Sequence, residues 1–530
     1  MQSYKKFGFI VLFMLLLSLS ACIDLSRTPL ENDISDTHSA SRFVFEDNFF
    51  ENDCPFELAV LDITEAELTC GFLLVPENRN VPDSLELELA VAIVHSKNNP
   101  KPDPILYLEG GPGGSALTGI DSWIDTSLRD DRDIILIDQR GTGYSFPGLH
   151  CEETDIEDTV QAAEDCRDSL LLEGIDLTQY HSANSAADIR DLRTALNIDQ
   201  WNLLGISYGT RLALTVMRDY PEGIRSVVID SVYPPNVDAY TEQAKTNADA
   251  VMALLAGCAA DDYCNGAYPD LATRFYKMLD NLYLYPVYVD EVLGSDVVDE
   301  EEMLDDAAII SWLVNSLYDT STIPTLPSLL STAADGDYAP LMEVIYGMGE
   351  EEDEGYQGRF RYQAMGYQTM GHQAMGYQTD DEEWLSDASG MFNSVECHEE
   401  IPFSNYEAGQ ALVADYPIEL VDPLLRDMGD LFNICEIWGA GEAQPIEDEA
   451  VVSDLPTLIL VGEYDPVTPP SWGKVAAKTL RQHTYVEVPR GGHSLIDAGD
   501  CPLDIIQTFI TNPTESPDIS CVESMILEFE

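Results

Sequence analysis

The sequence predicts an α/β protein whose mostly parallel central sheet is flanked by helices and interrupted by a mainly helical insertion after the sixth strand. Three observations carry this prediction. Residues 104–108 and 133–137 are short apolar runs of the kind that buried parallel strands show, and 202–206 and 456–461 read as further strands of the sheet. Helical patterns stand between several of them, which is the rhythm of parallel βαβ units. From Pro234-Pro235 to about residue 445 that rhythm gives way to helices, loops and acidic runs such as 299–302.

Composition sets the limits. The 530 residues are 45% hydrophobic and 9% aromatic, enough for a sizeable core. With 96 acidic and 26 basic residues the formal net charge is −70, which repels nucleic acid and anionic membrane surfaces as partners. So acidic a surface also suits salty surroundings, where screening blunts self-repulsion.

Residues 1–22 read as a secretion signal: Lys5-Lys6, an apolar run over 7–19, then Leu19-Ser20-Ala21-Cys22. That ending resembles the lipobox of bacterial lipoproteins. It implies cleavage before Cys22, a lipid on that sulfur, and a chain anchored to the bilayer of a bacterial cell envelope. Ile23, where aspartate would signal inner-membrane retention, points to the outer membrane facing the periplasm. No other run approaches the roughly 18 apolar residues of a transmembrane helix, and residues 23–52 read as a polar tether. Setting Cys22 aside leaves ten of the 11 cysteines, an even number for an oxidising compartment. Proximity in the chain suggests pairing Cys54 with Cys70, Cys151 with Cys166, Cys258 with Cys264, Cys397 with Cys435, and Cys501 with Cys521. A metal site is set aside, since no two cysteines stand as C-x₂-C and no histidine cluster accompanies them.

Taken in order, 68–75 and 85–94 read as an antiparallel hairpin; in the second, Leu85, Leu87, Leu89, Val91 and Ile93 alternate with Glu86, Glu88 and Ala90. The strand at 104–108 runs into Glu109-Gly-Gly-Pro-Gly-Gly-Ser115, and that at 133–137 into Asp138-Gln-Arg-Gly-Thr-Gly-Tyr-Ser145. Ser185 with Asp188 three residues later predicts a capped helix whose face carries Ile189, Leu192 and Leu196. A strand at 202–206, a helix over 210–220 ended by Pro221, and a strand at 226–229 follow. These make a catalytic domain of 53–235 and 446–530, with 236–445 as its cap. Inside the cap, 362–379 repeats a five-residue unit (Tyr-Gln-Ala-Met-Gly and variants, with His372) whose period matches neither helix nor strand. The sheet resumes at 456–461 and 484–488, leading to Asp465 and His493.

Gly205-Ile206-Ser207-Tyr208-Gly209 fits G-x-S-x-G, a strand-to-helix turn so tight that small residues must flank the serine. A serine nucleophile needs a base, and the base an orienting acid. The order Ser207, Asp465, His493, each in a loop after a strand, is that of an α/β-hydrolase fold. A tetrahedral oxyanion needs N–H donors; Tyr208 supplies one, and Gly111 is favoured as the other because Pro112 has none. A phosphate-binding loop is the rival for the glycines, but no Gly-Lys-Ser/Thr follows.

Together, these motifs and Asp-Ile-Arg-Asp-Leu-Arg-Thr-Ala-Leu at 188–196 resemble exported α/β-hydrolase serine peptidases of the prolyl and tripeptidyl aminopeptidase group. The resemblance covers about 54–235 and 390–525. It implies a cell-envelope enzyme cutting short peptides from a free N-terminus through an acyl-enzyme, with no metal or cofactor. Prolyl members often carry His where Glu109 stands, which places this chain nearer the tripeptidyl branch. Such enzymes need carboxylates for the substrate ammonium; the segment Ser394-Val-Glu-Cys397-His-Glu-Glu400 supplies Glu399 and then Glu400 as candidates, with Glu109 third. An esterase or amidase using the same triad, and an inactive envelope scaffold recruiting a partner through the repeat, are the alternatives. Oligomeric state is left open.

Overall fold

The computed structural model describes residues 48–56, 61, 63–98, 100–151, 159–294, 302–346, 385–525 and 527–530. The signal segment with Cys22, residues 23–47 of the expected tether, and the repeat at 362–379 with His372 lie outside the described residues.

Nine strands form the main sheet: β1 (Phe49–Asn52), β2 (Leu68–Pro76), β3 (Glu86–Val94), β4 (Ile105–Leu108), β5 (Ile134–Ile137), β6 (Trp201–Ile206), β7 (Ile224–Asp230), β8 (Thr457–Gly462) and β9 (His483–Val488). Their order is β1-β2-β3-β5-β4-β6-β7-β8-β9. The pairs from β1 to β5 through β2 and β3 are antiparallel, and those from β5 through β4 to β9 are parallel. This is an α/β-hydrolase fold. Successive side chains on a strand face opposite sides, so the apolar strands feed two cores. Leu106, Ile135, Leu203, Val227 and Ile459 face one, under the helices Ser182–Ala195 and Tyr208–Asp219; Ile105, Ile134, Leu204, Val228 and Leu458 face the other, under Asp500–Thr511.

Two local expectations are corrected. Phe49–Asn52, read as the end of a tether, pairs antiparallel with β2 as an edge strand. Its Phe49 is buried in the core, and the disulfide Cys54–Cys70 holds the chain just past it to β2. The insertion therefore follows the seventh strand in chain order. The helix expected to start at Ser185 begins a turn earlier at Ser182, with His181 at its N-cap. Asp188, expected to complete a capping box, instead accepts both Nε and Nη2 of the buried Arg140, at 2.7 and 2.8 Å.

Between β7 and β8 the helices include Ala239–Ala260, Leu271–Leu284, Asp306–Ser316, Leu326–Ala334, Ser389–Glu399 and Ile418–Trp438. All but Ser389–Glu399 enclose a third core, with Leu254, Phe275, Leu313, Leu330 and Met428, which Tyr464 and Phe529 from the sheet body join; Met391 and Val395 of Ser389–Glu399 pack instead with Tyr208, Tyr233, Trp438 and Trp472. Five disulfides join the pairs suggested by proximity in sequence; Cys397–Cys435 ties the cap helices Ser389–Glu399 and Ile418–Trp438. No helix among the described residues is long and apolar enough to cross a membrane.

Candidate active site

Ser207 stands between β6 and the helix Tyr208–Asp219 with φ +55° and ψ −126°, a backbone region that costs an L-residue roughly 1–3 kcal/mol. Close approach on both sides explains its glycine neighbours. A methyl on Gly205 would lie 2.3 Å from Gly209 O, and one on Gly209 would lie 2.0 Å from Leu108 O. The serine's own N–H donates to Asp230 O at 3.0 Å, and its carbonyl accepts from Thr210 N at 2.8 Å and Thr210 Oγ1 at 2.6 Å.

Asp465 and His493 meet across the ends of β8 and β9. His493 Nδ1 lies 2.9 Å from Asp465 Oδ2. Asp465 Oδ1 accepts the N–H groups of Val467 and Thr468, both at 2.9 Å, and Oδ2 also accepts Thr468 Oγ1 at 2.7 Å. Burial alone would raise this carboxyl, but the adjoining His493 charge and these hydrogen bonds outweigh it and hold the acid below its ordinary range. An ionised Asp465 only accepts, so Nδ1 carries the proton and Nε2 keeps its lone pair for base catalysis.

The end of β7 serves both loops. Ser207 N is bound to Asp230 O, while Ser494 N donates to Ser231 Oγ at 2.9 Å and Ile496 N to Asp230 Oδ2 at 2.8 Å. Burial pushes the Asp230 carboxyl up to about 7. The cap grips the histidine loop from the other side: His493 N donates to Tyr318 O at 2.8 Å, Gly492 N to Thr320 Oγ1 at 2.9 Å, and the Tyr318 ring packs on the imidazole with centroids 4.5 Å apart.

Gly110 N is spent on Glu109 Oε1 at 2.7 Å. The N–H groups of Gly111 and Tyr208, the expected oxyanion donors, have no partner among the described residues. The glycine loop is braced by Asp138, which accepts Ser115 Oγ, Leu117 N and Tyr144 N at 2.8–3.0 Å and is raised to about 7 by burial. Gln139 Nε2 donates to Glu109 O at 3.0 Å. These contacts are the physical content of the Asp138–Ser145 motif: it supports the glycine loop.

A pocket opens over Ser207. Gly111, Tyr233, Thr468 and Trp472 line it from the body, and Tyr240, Tyr318, Phe392 and Glu396 from the cap. The acids expected to receive an amine lie elsewhere. Glu399 Oε1 forms an ion pair with Arg211 Nε at 3.3 Å and is bonded by Ser182 Oγ; Glu400 is paired with Arg211 Nη1 and accepts Ala239 N at 3.4 Å. Glu109 is held by Tyr107 OH at 3.0 Å and by its own loop. None of the three is among the residues lining the pocket, whereas Glu396, one turn before Glu400, is. Its carboxylate is 3.4 Å from Tyr233 OH. Positions 396, 399 and 400 share one helix face, so the sequence shows three acids together; Arg211, from the helix Tyr208–Asp219, pairs with Glu399 and Glu400, and Glu396 is bonded by Tyr233 and Tyr240 of the pocket wall.

The electrostatics of this face are unbalanced. Glu396, Glu399 and Glu400 are each 2% exposed, and Arg211 is 1% exposed with its guanidinium carbon 5.1 Å above the Tyr233 ring. Burial pushes Glu400 up to about 8 despite Arg211, and burial followed by the charge of Glu400 holds Glu396 well above the ordinary carboxyl range. Three buried carboxyl groups around one guanidinium can take up a further cation.

Comparison with known proteins agrees with this architecture. Residues 103–258 match the family model described as alpha/beta hydrolase fold, and 426–521 match that described as TAP-like protein. The chain is 25% identical over 495 residues to "Putative hydrolase YuaR" of Escherichia coli, covering 86% of this chain and 88% of that one. It is 28% identical over 236 residues to the serine protease Hip1 of Mycobacterium tuberculosis, covering 40% of this chain and 45% of that one. Similarity to the tripeptidyl aminopeptidase of Streptomyces lividans is 28% over 217 residues, covering 35% of this chain and 39% of that one. The chain thus spans most of the first relative and less than half of the other two. It has the alpha/beta hydrolase fold, and its relatives include serine peptidases and aminopeptidases.

Proposed function

We propose that the chain is a serine aminopeptidase that hydrolyses short peptides from a free N-terminus. The observation that carries the reading is that Glu396 lines the same pocket as Ser207, while Arg211 pairs with the neighbouring Glu399 and Glu400 outside it. Ser207 Oγ attacks the scissile carbonyl as His493 Nε2 takes its proton, and the Gly111 and Tyr208 amides hold the oxyanion. His493 then delivers that proton to the leaving amine, and water repeats the sequence on the acyl-enzyme. Asp465 fixes the imidazole tautomer and stabilises the imidazolium. Glu396, rather than Glu399 or Glu400, meets the substrate ammonium, and Arg211 holds the other two acids in place. The preferred length, three residues or one with a proline, belongs to the peptidase branch and is read from the substrate panel below. The five disulfides fit an oxidising compartment, and the Cys22 lipobox supplies the anchor to the cell envelope.

The test is hydrolysis of chromogenic peptides one to three residues long, free and N-acetylated, by wild type, Ser207→Ala and Glu396→Gln. Ser207→Ala is expected to be silent on all of them. A charge-assisted hydrogen bond contributes about 1.5–3 kcal/mol, so Glu396→Gln is expected to lose roughly ten- to a hundredfold in kcat/KM on free-amine peptides. Its activity on blocked peptides should not change. Equal turnover of blocked and free substrates by wild type would leave the serine hydrolase and remove the aminopeptidase, in favour of an esterase or amidase.

A further inference from the structure

We infer that His181, His398 and Glu447 form a binding site for one first-row divalent cation, zinc by ligand type, where the last cap segment meets the catalytic body. The three come from separate parts of the chain: the N-cap of the helix Ser182–Ala195, the cap helix Ser389–Glu399, and the turn Pro445–Asp448. Their ligand atoms lie within 4.8 Å of one another. His398 Nε2 is 3.4 Å from Glu447 Oε2, and the two imidazoles stack at 4.3 Å between centroids and 14° between planes.

What distinguishes this cluster from a chance meeting is the state of each side chain. His398 Nδ1 is 2.8 Å from Ala440 O, and Glu447 Oε1 accepts Gln444 N at 2.9 Å. Each group is therefore fixed by one atom, and its other atom points into the cluster. His181 Nδ1, His398 Nε2 and Glu447 Oε2 are all buried without a hydrogen-bond partner among the described residues, a costly arrangement for three atoms at once. An imidazole whose Nδ1–H is held by a peptide carbonyl presents the Nε2 lone pair, as metal-binding histidines do. Asn184 Nδ2, which donates to Gln179 O at 2.9 Å, is 3.2 Å from His181 Nε2; metal binding through His181 Nδ1 moves the ring proton to Nε2 and requires this amide to give up that contact.

Two imidazole nitrogens and one carboxylate suit zinc and its neighbours rather than calcium or magnesium, which take oxygen cages. A tetrahedral zinc at about 2.0–2.1 Å from its ligands draws them to roughly 3.3 Å apart, with water at the fourth position. None of the three residues lines the pocket over Ser207, so the cation does not serve the reaction directly. It braces the segment carrying Glu399 and Glu400: Ser182, next to His181, bonds Glu399, and Arg211 Nη2 lies 3.5 Å from Glu447 O. The inference rests on these side chains and not on the peptidase reading.

The experiment strips the disulfide-bonded, full-length protein with a chelator and adds back zinc or cobalt alone. One zinc per chain is expected to bind and raise Tm, and cobalt should give the intense visible bands of a four-coordinate site containing nitrogen. His398→Gln and His181→Gln should each weaken binding at least tenfold. An unchanged Tm with zinc, or binding of equal strength in the His181→Gln/His398→Gln double variant, overturns the site, the second outcome assigning the metal to the acidic surface. If the variants do not fold, the cobalt spectrum of wild type decides: a weak octahedral, all-oxygen spectrum overturns the proposal.

Discussion

The sheet and the cap meet at one pocket but encode it differently. On the sheet side, Ser207, Asp465 and His493 each stand within five residues of a strand end, in turns whose residue types are dictated by backbone geometry. On the cap side, Tyr240, Tyr318, Phe392 and Glu396 come from helices and a loop without local signatures, and Tyr240 and Phe392 are placed by an apolar cluster shared with Tyr208, Tyr233 and Trp472 of the sheet body. The cap nonetheless reaches the triad from behind: its Tyr318 and Thr320 hold the histidine loop, and its Gly257 packs on Tyr464, the neighbour of Asp465. A local turn can therefore be specified by a few neighbouring residues, while the pocket needs surfaces from distant parts of the chain packed into shared cores.

The sharpest way to break this union is Arg211→Met. It leaves Glu399 and Glu400 buried without their counter-ion and is expected to cost about 3–5 kcal/mol in urea unfolding. By contrast, Arg481→Ala, which removes a pair with Asp454 that is more than 60% exposed on both sides, should cost no more than about 0.5 kcal/mol. Next come Leu204→Ala in the sheet core and Leu254→Ala in the cap core, each about 2–5 kcal/mol. Because Tyr464 and Phe529 of the body belong to the cap core, both are expected to shift one common calorimetric transition. A separate, earlier transition in Leu254→Ala would show that the cap melts alone.

A pH test addresses the strand end beneath both loops. Asp230, raised to about 7 when folded, keeps its proton in the native state while the unfolded chain releases it near pH 4. Its contribution is full below about pH 4 and is lost as pH rises through about 7, for a total of about 2–4 kcal/mol. Asp230→Asn should flatten the fall of unfolding free energy across that window. A smaller effect on stability than the core truncations is expected of Gly257→Ala: the added methyl would sit 2.0 Å from Tyr464 Oη, costing about 1–3 kcal/mol. It should lower kcat with little change in KM, since the push is toward Asp465 and not the pocket wall.

Much of the fold was legible because buried parallel strands are short apolar runs and their ends carry glycine, proline and aspartate. The strands from 68 onward lie within a residue or two of their expected places. The edge strand Phe49–Asn52 was missed because Phe-Phe-Glu-Asn has neither length nor alternation; its partner β2 and the Cys54–Cys70 disulfide make it a strand. Ser185 carried the local signature of a cap, yet Arg140 takes Asp188 away and the helix starts at Ser182. The amine-binding acids show the same limit. The segment 394–400 is legible as acid-rich, but the helix period alone gives three acids on one face, and the expectation of Glu399 does not include Arg211, which comes from a distant helix.

Sequence alone determined the alternation of strands and helices, the serine turn, the loops that carry Ser207, Asp465 and His493, and the neighbouring cysteine pairs. Each of these depends on residues close together in the chain or on backbone conformations that few residues tolerate. Tertiary structure decided which carboxylate lines the pocket, which cap residues clamp His493, and that His181 and His398 stack beside Glu447. Those contacts join segments far apart in the chain, where no local conformational preference records who the neighbour is and only the packing of two cores brings the groups together.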